Sequence, residues 1–181
     1  IGRWHAQADA RGGFADGSGA NAQFSQPQSL ALDSQNRSLV VADSGNGRVR
    51  LVSLEGQVTT VGVLGNNRSI GAKSSRKGLT VAPQADAFTF SAPQSVSVDG
   101  IGTIYVSDAT GVKVIPRPGG KAQLPIELAE NASLGNVSGV AVTTVEGTFA
   151  GGTKANAVLL NSQTGTGTQL LRVTVGVPFI S

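Results

Sequence analysis

The chain has 181 residues, 14% of them charged, with a net charge of +3 and no cysteine. That length suits one well-buried domain and excludes two large ones, and the missing thiols exclude a disulfide framework, a thiolate metal site and a cysteine nucleophile. Glycine is abundant at 25 residues, while charge falls well below the roughly 25% of an ordinary soluble domain, a balance that suits turn-rich β structure and a surface packed against other proteins.

Residues 1–23, rich in Gly, Ala and Asp, read as a lead-in loop with Ala15-Asp16-Gly17 as a turn. A first unit spans residues 24–64. Leu30 and Leu32 point to one face and Ser29 and Ala31 to the other; Asn36-Arg37 turns the chain into a second strand, Ser44-Gly45-Asn46-Gly47 into a third, and Glu55-Gly56 into an outer strand, Gln57-Val58-Thr59-Thr60-Val61. Four strands in about 40 residues is the size of one propeller blade.

Residues 65–87 lose this periodicity and read as an inserted basic loop carrying Arg68, Lys73, Arg76 and Lys77. The second unit, residues 88–128, repeats the first: Phe24-Ser25-Gln26-Pro27-Gln28-Ser29 returns as Phe90-Ser91-Ala92-Pro93-Gln94-Ser95, and the strand ending in Asp43 returns as one ending in Asp108. Pro116, Pro118 and Pro125 make its outer part irregular. A third unit, residues 134–177, has Val140 and Val142 in the places of Val96 and Val98, followed by strands around Leu159 and Leu171. The expected fold is all-β: a propeller of about three four-stranded blades.

The first unit resembles an NHL repeat. It carries the Ala15-Asp16-Gly17 turn, the Phe24 and Pro27 lead-in, the hairpin Val41-Ala42-Asp43-Ser44-Gly45-Asn46-Gly47-Arg48-Val49-Arg50 and the outer strand Gly56-Gln57-Val58-Thr59-Thr60, with Gly47 where that family has its eponymous histidine. The second unit keeps Pro93, Asp99 and Asp108 but has the shorter hairpin Ala109-Thr110-Gly111; the third keeps the strand rhythm and Asn161. The resemblance implies a ring of about six blades, of which this chain is a part or a half. Three blades cannot close, so other protein subunits or a second copy are expected to complete the ring and cover its open faces.

Asp16, Asp43, Asn46, Asp99 and Asp108 fall at turns, where a side-chain oxygen accepts from turn amides, and are expected to be structural. Arg48, Arg50, Arg68, Lys73, Arg76 and Lys77 are the candidate partner-binding residues, for an acidic protein or, as in some NHL propellers, single-stranded RNA. A metal-dependent lyase or hydrolase is a further alternative that the resemblance brings, but His5 is the lone histidine, so neither metal nor other cofactor is expected and the reading is non-enzymatic. Asn36, Asn67, Asn131 and Asn136 head Asn-x-Ser sequons and are candidate glycosylation sites. Methionine is absent even at position 1, which leads us to expect a removed presequence and a secreted, periplasmic or organelle-lumen setting, with a cytoplasmic one left open. No apolar run approaches the roughly 20 residues of a membrane span.

Overall fold

The computed structural model describes residues 12–61, 90–116, 126–130, 136–145, 155–164 and 167–176. The inserted basic loop, with Asn67, Arg68, Lys73, Arg76 and Lys77, lies outside the described residues, as does Asn131. Among the described residues, period-two alternation becomes antiparallel sheet, interrupted by one 3-10 turn at Ser44–Asn46. Among the described residues no helix is long and apolar enough to cross a membrane.

The first sheet holds β1 (Gly17–Ser18), β2 (Pro27–Asp33), β3 (Ser38–Asp43), β4 (Arg48–Ser53) and β5 (Gln57–Thr60), in the order β1-β5-β4-β3-β2. The second runs in chain order through β6 (Ser95–Val98), β7 (Ile104–Asp108), β8 (Gly111–Ile115) and β9 (Ile126–Glu130). The third, β10 (Asn136–Val145), β11 (Ala155–Thr164) and β12 (Gly167–Gly176), is a meander of ten-residue strands. The described strands thus number five, four and three rather than four in each blade, and the lead-in stretch supplies one of them, Gly17 pairing with Val58.

Cross-strand partners share a face of a sheet, so the register fixes which side chains each blade offers its neighbour. Val40 pairs with Ala31 and Leu51, and Ala42 with Val49. That face of the first blade packs on Val96, Ile104, Val106 and Ile115 of the second in one buried cluster. The opposite face of the second blade, Tyr105, Val112 and Val114, packs on Val140, Val158 and Leu160 of the third. The middle blade is therefore covered on both sides. All five residues of β7 are buried, which is why Ile104-Tyr105-Val106 reads as a continuous apolar run rather than an alternating one.

Candidate interaction site

Asp43 closes β3 and is fully buried. Its carboxylate accepts from the Ser25 amide at 2.7 Å and from the Asn46 amide group and the Arg50 guanidinium at 2.8 Å each. Arg50 also donates to Asp16 and to the carbonyls of Ala15 and Gln23, and its guanidinium carbon lies 4.8 Å from the ring centres of both Phe14 and Phe24. Asp16 in turn accepts from the Thr60 amide and hydroxyl. One desolvated cation held by two carboxylates, two carbonyls and two rings clamps the lead-in stretch onto β4 and β5. This corrects the assignment of Arg50 to a partner-facing surface: it is 0% exposed, because the acids that neutralise it stand on either side of it within its own blade. Arg48 is half-buried and donates to the carbonyl of Gly47.

The second blade rebuilds the same cluster from other residues. Asp108 accepts from the Ser91 amide at 3.0 Å, from the Thr110 amide at 2.8 Å and hydroxyl at 2.6 Å, and from Lys113 Nζ at 2.7 Å. Lys113 sits 5.9 Å from the Phe90 ring centre, as Arg50 sits over Phe24. Burial pushes the Asp108 carboxyl up, but the bonds from Lys113, Thr110 and Ser91 together outweigh it and leave the group below its ordinary value.

Asp99 accepts from the amides of Ile101 and Thr103 and from the Tyr105 hydroxyl, closing the turn between β6 and β7. Its repeat partner Asp33, which sequence reasoning did not single out, is buried and accepts from the backbone and side-chain amides of Asn36. Asn36 Nδ2, the atom a glycan would need, is thus engaged at 2.8 Å. Gly102 of the second blade also lies close against it: a Cβ there would come within 2.9 Å of that nitrogen. Asn136, by contrast, is exposed at the start of β10.

Blade-to-blade seams follow a repeated rule. The Val96 amide donates to Ser29 Oγ at 3.2 Å, the Val140 amide to Ser95 Oγ at 3.2 Å and the Val142 amide to Ser97 Oγ at 3.0 Å. The first strands of successive blades are thus stitched by serine hydroxyls. At the hairpin end, the Phe90 amide donates to the Gly47 carbonyl at 3.1 Å and the Ser44 hydroxyl to the Pro93 carbonyl. Gly47 has φ 61°, and a Cβ there would come 2.7 Å from the Phe90 carbonyl oxygen. The seam therefore requires the glycine that stands in the histidine's place.

Among the described residues, the remaining face of the first blade has no such neighbour. Leu30 pairs with Val41, which pairs with Arg50, and Leu32 pairs with Leu39, so these side chains share one face. Its outer half is closed by Phe14 and Asp16 through the Arg50 clamp, but Leu30 is 68% and Leu32 62% exposed. Val96, the repeat equivalent of Leu30, is 5% exposed. Pro93 is likewise buried where Pro27 is exposed.

Antiparallel sheets of five, four and three described strands stacked face to face, with strand-edge seams between them, define a partial β-propeller. Residues 24–50 match the family model of the NHL repeat, so the similarity falls on the first blade from its lead-in to β4 and takes in Phe24, Asp43, Asn46 and Arg50. No curated protein matches the chain.

Proposed function

We propose that this chain is a non-enzymatic protein–protein interaction module, an NHL-type propeller segment held within a larger secreted or lumenal assembly. NHL repeats generally serve as interaction modules, and one observation carries the reading here: two leucines lie open on a sheet face whose repeat equivalent, one blade along, is buried against a neighbour. An apolar face of that kind marks an interface. Asp16, Asp43, Asp99 and Asp108 each accept several bonds from turn amides, hydroxyls or cations. The exposed Asn136, which heads a sequon, suits a secreted or lumenal setting.

The test is a double variant, Leu30→Ser with Leu32→Ser, introduced where the protein is naturally made. Retained β circular dichroism with loss of the variant from its assembly is the expected result. A variant that co-sediments with the assembly as the unaltered chain does would overturn the reading.

A further inference from the structure

The face that the first blade turns to the second is covered at Val40, Ala42 and Val49, and the cover thins toward β5, where Gln57 and Thr59 are exposed. At that margin Asn36, Ser38, Leu51, Ser53, Gln57 and Thr59 line a cavity of about 200 Å³. Register sets these side chains next to one another, since Ser38 pairs with Ser53 and Leu51 with Thr59. Ser38, 7% exposed, is the most deeply placed of the six.

The repeat does not require this space. Ala31 pairs with Val40 as Ser97 pairs with Tyr105, so the second blade carries a buried tyrosine where the first has a valine. The Tyr105 hydroxyl gives Asp99 the bond that Asn36 Nδ2 gives Asp33 in the first blade. Leu39 pairs with Val52 as Ile104 pairs with Ile115, so Pro116 stands at the place of Ser53. The first blade thus has smaller or hydroxyl-bearing side chains where the second has a ring and a proline.

Ser38 Oγ is buried and has no hydrogen-bond partner among the described residues. A desolvated hydroxyl left without a partner is destabilising, and a hydroxyl on a bound molecule would satisfy it. Arg50 Nε and Ser107 Oγ are also buried without a partner, but neither residue lines the cavity. All six lining side chains are uncharged, so an anion or a cation would meet no counter-charge from them. Hydroxyls and amides around one leucine match a molecule that has several hydroxyls and an apolar C–H face. The volume falls below the roughly 300–1,000 Å³ of a drug-sized site, which limits the occupant to a single small ring. We propose that this cavity binds one neutral monosaccharide unit, with Ser38 Oγ bonded to a sugar hydroxyl and Leu51 against the ring. The site lies on the opposite side of the blade from Leu30 and Leu32 and is independent of the interface proposed there.

The test is a titration of the full chain with glucose, galactose, mannose and N-acetylglucosamine, followed by backbone amide NMR. At least one sugar should give saturable shifts at residues 36–38, 51–53 and 57–59, with a millimolar dissociation constant. Ser38→Ala should weaken that binding by at least about fivefold, the worth of one hydrogen bond. It should leave the melting temperature of the unliganded chain unchanged or raised, since the hydroxyl that it removes has no partner. Thr59→Trp, at the exposed margin, should block binding and serves as the second variant. A methyl glycoside that binds as well as the free sugar would make the ligand the end of a glycan chain; one that does not bind would make it a free sugar, and either result supports the site. No saturable shift from any of the four sugars up to about 100 mM, equal shifts from glycerol, or binding that Ser38→Ala leaves intact would overturn the proposal. A lowered melting temperature for Ser38→Ala would overturn it too, because the hydroxyl would then be bonded within the fold.

Discussion

Lys113 holds in the second blade the place that Arg50 holds in the first. Lys113 pairs across the sheet with Val106, two residues before Asp108, and Arg50 with Val41, two residues before Asp43. Each cation reaches its aspartate, at 2.7 Å and 2.8 Å respectively, and each lies over the phenylalanine that opens its repeat. The cluster survives a hairpin two residues shorter because Thr110 supplies the bond to the aspartate that Asn46 supplies in the first blade.

Arg50→Ala leaves Asp43 buried without its cation, and Asp43 and Arg50 are each 0% exposed. Loss of about 3–5 kcal/mol is expected, the range for breaking a buried pair from one side. Denaturant unfolding measures it, and limited proteolysis should show cleavage near Phe14 and Asp16 once the clamp is gone. Unchanged stability would mean that Arg50 does not hold the lead-in stretch.

Asp108 makes stability depend on pH. Its carboxyl sits below the ordinary value in the folded chain, so the unfolded chain binds the proton first as pH falls. The stabilisation is complete above the unfolded value of about 3.9 and is lost as pH drops through the lower folded value. Unfolding midpoints taken between neutral pH and pH 3 should fall for the natural chain and fall less for Asp108→Asn. Parallel curves for the two would contradict the assignment.

Gly47→Ala combines a left-handed backbone with a methyl group 2.7 Å from the Phe90 carbonyl oxygen. A cost of about 1–3 kcal/mol is expected, seen as a lowered unfolding midpoint, and Gly56→Ala provides the control. Gly56 has φ 84° but open space around its Cβ position, so it should lose less.

Ile104 is 0% exposed and lies in the cluster between the first two blades. Ile104→Ala should cost about 2–5 kcal/mol, as measured by chemical denaturation, and a value near zero would mean that the two blades are not packed as described.

The strand order within each blade was legible because apolar alternation with a repeated lead-in marks each first strand, as at Leu30 and Val96. The two residues of β1 are too few to alternate, so the strand was hidden in a glycine-rich stretch. Arg50 was misplaced because an arginine in a basic chain reads as surface; the nearby Phe14, Asp16, Phe24 and Asp43, able to receive it from both sides, were the signal that pointed inward. The equivalence of Lys113 and Arg50 was lost in counting residues along hairpins of unequal length, and strand register restores it. The sequence distinguished the Leu30 face from the Ser29 face but not which of them has a neighbour, since that depends on what lies beside the blade in space.

The measurement that bears most directly on the central claim is the mass, by light scattering, of the native particle isolated from its source. A mass well above 18.2 kDa, with Leu30 and Leu32 protected in hydrogen exchange, is the result predicted for a propeller segment covered by a partner. A lone particle of 18.2 kDa with both leucines unprotected would contradict it.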